Sequence, residues 1–206
     1  SRENYLNVLK IPKNLNLGVM INTSEIINSK ENYNKTLTKL FNSQKKSRIK
    51  FIRLATHFKE VSEVVKICKF LKTKSYKVII NLMQITEQSN KNVIDAIKKI
   101  KKAKPDVIYF ADSLGAMNSK DVSECIKSIR SQWKGEIGIH THNNLGKAVS
   151  NSISAIENGV TWVDSTVTGM GRGPGNSETE YMLIEMSRFS KKKYNLLPIT
   201  KIIKNH

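Results

Sequence analysis

Two of the chain's four histidines, His140 and His142, stand two residues apart in Gly138-Ile139-His140-Thr141-His142-Asn143-Asn144. On a β-strand, alternate side chains share a face, so the two imidazoles project together, roughly 7 Å apart along the chain. Ile137, Ile139 and Thr141 then face the other way. A neutral imidazole is a good ligand near pH 7, and two on one face can converge on a single divalent cation. The alternative use of the same spacing is a hydrogen-bonded histidine pair that serves packing.

Other segments carry chemistry of a different kind. Gly169-Met170-Gly171-Arg172-Gly173-Pro174-Gly175-Asn176 leads into a helical pattern at Ser177. Glycines let backbone turn tightly and present N–H groups, and a helix N-terminus favours an anion. The segment reads either as an anion cradle or as a tight structural loop. Pro174 and the position after the last strand-like run exclude a dinucleotide fingerprint. Asp112 ends the apolar run Val107 to Ala111, where it can serve a site or cap the turn around Gly115. Arg53 lies inside the apolar run Phe51 to Ala55, and an inward Arg calls for an anionic partner. His57 follows as a loop residue or a catalytic one. Arg53, His57 and Asp112 are therefore the candidate catalytic residues.

The elements that must position these groups are legible as a repeat. Strand-like runs Asn16–Ile21, Ile49–Ala55, Lys77–Met83, Asp106–Ala111, Glu136–Thr141 and Thr161–Val167 begin 33, 28, 29, 30 and 25 residues apart. That is the size of one strand, one crossover helix and two short loops, which requires parallel strands covered by helices. Nearly every run ends in polar groups: Asn22 and Thr23, Thr56 and His57, Gln84, Asp112 and Ser113, His140 and His142, Thr166 and Thr168. Such a distribution favours the common mouth of a TIM barrel over an open doubly wound sheet, whose site sits at one switch point. Eight such units need ~230 residues. The expectation is thus one α/β domain over 1–206, a TIM (β/α)8 barrel lacking its first one or two βα units. Tyr5, Leu6, Val8 and Leu9 then form the tail of an outer helix. Asn144 is expected to cap the helix containing Leu145 and Ala148, with Gly159 past its end, and Ser177 with Glu180 to form a capping box.

Composition narrows the function classes. The chain has 35 Lys+Arg against 17 Asp+Glu, a formal charge of +18. Lys98, Lys99, Lys101 and Lys102 alternate with Ile97 and Ile100 at helical spacing, the pattern of a solvated helix face. Without aromatic-interleaved basic stretches or zinc-finger spacing, no nucleic-acid partner is expected. No apolar run approaches ~18 residues, so no membrane span is expected, and the first residues carry no signal or transit pattern, giving a cytoplasmic expectation. Cys68 and Cys125 fall on apolar stripes and read as core thiols.

Taken together, the segments Phe51 to His57, Tyr109 to Met117, His140 to Gly146 and Val163 to Asn176 resemble the 4-hydroxy-2-oxovalerate aldolases. More broadly they are similar to the metal-dependent TIM-barrel lyases that include hydroxymethylglutaryl-CoA lyase and 2-isopropylmalate synthase. The resemblance implies that His140 and His142 ligate Mn²⁺ or Mg²⁺, with Asn176 as a ligand or near-ligand. It implies substrate contacts from Asn143, Thr166, Gly171 and Gly173. A further Asp ligand and a catalytic Arg would come from a first-strand motif that no residues here match. The loop Gly169 to Asn176 also lacks the Cys of the hydroxymethylglutaryl-CoA lyases. The implied reaction cleaves a 4-hydroxy-2-oxo acid to pyruvate and an aldehyde through a metal-stabilised enolate. A homo-oligomer and an aldehyde dehydrogenase partner are implied with it. The alternatives are an acyl-CoA-dependent condensing enzyme and a non-catalytic barrel fragment.

Overall fold

The structure, a computed structural model, describes residues 6, 8–190 and 192–205. Contacts gather the chain into two compact units, Ser1–Met83 with Asp95–Ile108 and Gln84–Ile94 with Tyr109–His206.

The first unit opens with β1 (Leu17–Asn22), α1 (Thr23–Ile27), α2 (Tyr33–Leu40), β2 (Ile49–Thr56), α3 (Val61–Thr73) and β3 (Lys77–Leu82). β1 pairs with β2 and β2 with β3, both parallel, with Met20, Arg53 and Ile79 in register. The apolar stripe Val61, Val64, Ile67, Cys68 and Leu71 of α3 is buried, as its spacing of three and four residues dictates. Asp106 ties this layer together: its carboxylate meets Lys72 Nζ at 2.8 Å and accepts the Val78 N–H at 2.7 Å. At the ends of the strands, the buried hydroxyls of Thr23 and Thr56 meet at 2.9 Å. Of the expected outer-helix tail, Leu6 and Val8 are helical, Leu9 lies in a bend, and Tyr5 lies outside the described residues.

Helix α4 (Asn90–Ile100) and strand β4 (Val107–Asp112) cross the boundary between the units. In sheet order, the first unit runs β1-β2-β3 to the start of β4. The second continues from the end of β4 to β5 (Glu136–Thr141) and β6 (Trp162–Val163), with β5 and β6 parallel. Around them lie α5 (Ser119–Arg130), α6 (Ala148–Glu157), α7 (Thr179–Phe189) and α8 (Leu197–Asn205). Helix α5 starts at a reciprocal cap. Asn118 accepts the Asp121 N–H and Asp121 accepts the Asn118 N–H, an arrangement that adds about 1 kcal/mol over Ala at the cap. Among the described residues, no helix is long and apolar enough to cross a membrane.

Three local expectations are corrected. The last strand is two residues long, not the seven of Thr161–Val167. Beyond Val163 the chain leaves the sheet to pair with a later segment, Thr166 bridging to Glu178 and donating its N–H to the Ser177 carbonyl at 3.0 Å. The N-cap of α6 is Lys147 rather than Asn144, with no side-chain bond of its own, and Asn143 Oδ1 accepts the Ala148 N–H at 3.0 Å. Ser177 lies outside α7, and Glu180 reaches instead to the Thr168 N–H at 3.1 Å, holding Thr168 at φ 56°. Gly159 does follow α6 with φ 84°, the left-handed geometry of a glycine past a helix end.

Candidate cation site

The strand that carries the histidines packs as alternation requires. Ile137, Ile139 and Thr141 of β5 are buried on one side. On the other, the rings of His140 and His142 meet edge to face with centroids 5.0 Å apart. Gly138 shares their face, and a Cβ there would lie 2.1 Å from Tyr109 Cε2. The missing side chain is what lets the Tyr109 ring lie across the strand. From that position its hydroxyl donates to Asp164 Oδ1 at 3.1 Å, while Asp164 Oδ2 meets His140 Nδ1 at 2.9 Å.

The glycine-rich segment folds back onto the same strand end. His142 forms an antiparallel bridge with Asn176, and the Asn143 N–H donates to the Gly175 carbonyl at 3.0 Å. Asn176 donates its backbone N–H to the Gly169 carbonyl at 2.8 Å and its carboxamide Nδ2 to the Met170 carbonyl at 3.1 Å. Those bonds fix the carboxamide, yet its Oδ1 is buried without a hydrogen-bond partner. Gly171 makes room for it, because a Cβ there would lie 2.4 Å from Asn176 Nδ2. Gly175 adopts φ 87°, and a Cβ on it would lie 2.3 Å from the Gly169 carbonyl oxygen. Gly173, by contrast, has open space where a Cβ would be.

Burial holds the His142 imidazole below its ordinary pKa, and the neighbouring His140 acts in the same sense. Asp112 and the Gly175 backbone oppose the shift, and Arg172 of the loop adds to it. His142 is therefore neutral, with a lone pair to offer, at pH 7. Among the described residues, no three His, Cys, Asp or Glu side chains gather as a cation site. The groups at this strand end that could offer donors to a cation are the two imidazoles and the orphaned amide oxygen of Asn176, a mixed nitrogen and oxygen set.

The remaining expected site residues have distinct surroundings. Asp112 is fully buried and both its oxygens are engaged, accepting the Ala116 N–H at 3.0 Å and the Met117 N–H at 3.1 Å. It braces the turn through Gly115. The Asn143 carboxamide oxygen accepts the Ala148 N–H at the start of α6. Thr166 presents a buried hydroxyl with no partner. Arg53 and His57 belong to the first unit: Arg53 is half-buried in the middle of β2, and His57 donates its N–H to Glu60 Oε2 at 2.9 Å. Reading residue types and spacing overlooked Tyr109 and Asp164. The available signals were a carboxylate, Asp164, inside the strand-like run Thr161–Val167 and a glycine, Gly138, inside the run Glu136–Thr141.

The chain is similar to known proteins over most of its length. The chain is 34% identical over 143 residues to 4-hydroxy-2-oxovalerate aldolase of Bacillus thuringiensis (strain Al Hakam), a match covering 69% of this chain and 42% of that protein. It is likewise 34% identical over 139 residues to 4-hydroxy-2-oxovalerate aldolase of Carboxydothermus hydrogenoformans, covering 68% and 41%. The chain thus spans about two fifths of the length of these curated relatives. Among solved structures, the N-terminal domain of an aldolase candidate from Bacteroides vulgatus superposes with a TM-score of 0.80 at 27% identity, covering 93% of this chain and 62% of that one. The HMG-CoA lyase from Brucella melitensis superposes with a TM-score of 0.75 at 10% identity over 100% of this chain and 80% of that one, a likeness of fold. The HMGL-like family model matches residues 14–204, and the chain belongs to the HMGL-like family.

Proposed function

We propose that this chain carries the cation-binding part of a metal-dependent carbon–carbon lyase that cleaves a 4-hydroxy-2-oxo acid to pyruvate and an aldehyde. The observation that carries the reading is the buried, unpartnered Oδ1 of Asn176, bridged through its backbone to His142, whose ring lies against His140. A buried polar atom without a partner costs about 1–3 kcal/mol and calls for an explanation such as an ion. In this reading, His140 and His142 hold Mn²⁺ or Mg²⁺ through imidazole nitrogen and Asn176 through its amide oxygen. When bound, the cation supplies Lewis-acid stabilisation for the negative charge that develops on a 2-oxo acid as its C–C bond breaks.

The chain's own residues shape the surroundings of that site. Burial keeps His142 in the neutral form that can ligate. The hydrogen bonds of Asn176 to Gly169 and Met170 hold its oxygen in place before substrate arrives. Gly171, Gly173 and the Thr166 hydroxyl form the substrate-facing part of the reading, and Arg172 adds positive charge to the loop that an anionic substrate approaches. An eight-stranded TIM barrel, a homo-oligomer, an aldehyde-consuming dehydrogenase partner and a cytoplasmic location complete it. The relatives named 4-hydroxy-2-oxovalerate aldolase support this choice of reaction.

The test uses the full-length protein, with Mn²⁺ titrated by calorimetry and pyruvate release followed with 4-hydroxy-2-oxo acids. His140→Ala and His142→Ala should each lower Mn²⁺ affinity by at least about 100-fold, beyond the effect of losing an outer partner, and lower turnover in step. Unchanged metal content and turnover in both variants would overturn the reading.

A further inference from the structure

We propose that Asp164 is a positioning residue that holds His140 as its Nδ1–H tautomer and leaves Nε2 free to ligate, and that Tyr109, seated over Gly138, holds Asp164 in turn. As a statement about ligation this rests on the cation reading above; as a statement about tautomer it stands on contacts alone. The three groups form one chain of hydrogen bonds: Tyr109 hydroxyl to Asp164 Oδ1 at 3.1 Å, and His140 Nδ1 to Asp164 Oδ2 at 2.9 Å.

The direction of each proton follows from what the groups can do. An ionised carboxylate only accepts, so each neighbour within hydrogen-bond distance of it must be the donor. Tyr109 supplies its O–H and His140 supplies Nδ1–H. A neutral imidazole has one N–H, so Nε2 carries the lone pair. The contact is sheltered, with the His140 and Asp164 side chains 25% and 23% exposed, and a hydrogen bond to a charged group in such a setting is stronger than a neutral one. Asp164 takes its position from the end of β6, two residues past Trp162, and His140 from β5, so the pair also joins two strand ends 24 residues apart in sequence.

The geometry of Tyr109 shows that the arrangement is built into the backbone. Any side chain at 138 would strike the Tyr109 ring, with a Cβ 2.1 Å from Cε2 and 2.3 Å from Cδ2 and Cζ. Glycine is thus required on the histidine face of β5 for the tyrosine to reach the carboxylate. His142, on the same face, has the Gly175 backbone as a hydrogen-bond neighbour, and it is His140 that meets Asp164 Oδ2 at 2.9 Å. Outer partners of this kind orient a ligating ring and raise its basicity.

The test is the tautomer of His140, read from its imidazole ¹⁵N shifts in the metal-free full-length protein at about pH 8, above the usual imidazole range. The wild type should show Nδ1–H with Nε2 unprotonated. Asp164→Ala should lose that preference and lower Mn²⁺ affinity about 10–100-fold. Tyr109→Phe keeps the ring over Gly138 and should weaken the preference less, with a loss below about 10-fold; it and the wild-type spectrum decide the matter if Asp164→Ala does not fold. Nε2–H in the wild type would overturn the assignment, as would an unchanged tautomer in both variants. Added Mn²⁺ should broaden the His140 signals. If the wild type shows Nδ1–H but Mn²⁺ leaves His140 sharp, the positioning stands and the cation reading falls.

Discussion

The two units place the same residue types at strand ends and treat them oppositely. At the ends of β1 and β2, Thr23 and Thr56 bury their hydroxyls against each other at 2.9 Å, and Thr56 also donates to the Leu54 carbonyl at 3.1 Å. Near the end of β6, Thr166 buries a hydroxyl with no partner, and Asn176 Oδ1 and Ser177 Oγ are buried in the same condition. In the first unit Asn81 Oδ1 is the corresponding orphan among the described residues. The second unit has four such atoms, Asn151 Oδ1 of α6 and three gathered within residues 166–177. Polar groups that satisfy each other hold a fold together, whereas fixed polar groups left unsatisfied are suited to a ligand's atoms. Polarity at a strand end therefore does not by itself mark a site. A cluster of unmet hydrogen-bonding groups is the better marker, since single orphans also occur at Asn81 and Asn151.

The largest effect that would break this contrast comes from the backbone that fixes the orphans. Gly175→Ala forces a side chain at φ 87° and 2.3 Å from the Gly169 carbonyl oxygen. Left-handed backbone costs ~1–2 kcal/mol for an L-residue, and overpacking adds ~1–3 kcal/mol. Thermal unfolding should therefore shift down by ~2–5 kcal/mol, with Mn²⁺ affinity falling as Asn176 moves. Gly173→Ala meets open space at φ 58° and should cost only the backbone part, ~1–2 kcal/mol. Equal losses in the two variants would show that the loop is slack and does not fix Asn176.

A smaller pair of substitutions compares the threonines directly. Thr56→Val removes one member of a satisfied pair and leaves the Thr23 hydroxyl buried without it, so stability should fall by about 1–3 kcal/mol with Mn²⁺ affinity unchanged. Thr166→Val removes a hydroxyl that already lacks a partner. Its stability should be unchanged or slightly higher, while the KM for a 4-hydroxy-2-oxo acid rises. Denaturant titrations of the two variants measure the contrast, and a destabilised Thr166→Val would mean that this hydroxyl is structural.

The sequence makes the repeat legible because period and alternation are local properties. Runs predicted at Ile49–Ala55 and Asp106–Ala111 are strands at Ile49–Thr56 and Val107–Asp112, and the shared face of His140 and His142 follows from strand geometry alone. The last strand fails the same reasoning. Alternation over Thr161–Val167 cannot reveal that Thr166 prefers Glu178 as its neighbour. The caps expected at Asn144 and at Ser177 with Glu180 fail for a related cause, since Asn143 Oδ1 takes the Ala148 N–H and Glu180 reaches back to the Thr168 N–H. Asp164 is the most instructive case. Its importance lies in a contact 24 residues away and in the absence of a side chain at Gly138, and neither is a property of its own neighbourhood in sequence.

The smallest effect concerns burial without a site. Cys68 lies in the stripe of α3, where burial pushes its thiol up from 9.0 to about 12, aided by Asp106 and opposed by Lys72. Cys125 of α5 is likewise pushed up by burial. A thiol reacts as the thiolate, so at about pH 8 native Cys68 should be alkylated about 1,000-fold more slowly than an exposed thiol of ordinary pKa, before any loss of access is counted. The stability consequence has a definite sign. Because the folded state keeps the proton more tightly than the unfolded one, stability is independent of this group below pH 9.0 and falls as pH rises from there towards about 12. Iodoacetamide labelling with and without denaturant, followed by mass spectrometry, measures the first effect, and denaturant midpoints between about pH 8 and pH 11 measure the second. Fast labelling of native Cys68 at about pH 8 would mean that α3 opens readily, and the first unit would then lose its standing as the satisfied, closed member of the comparison.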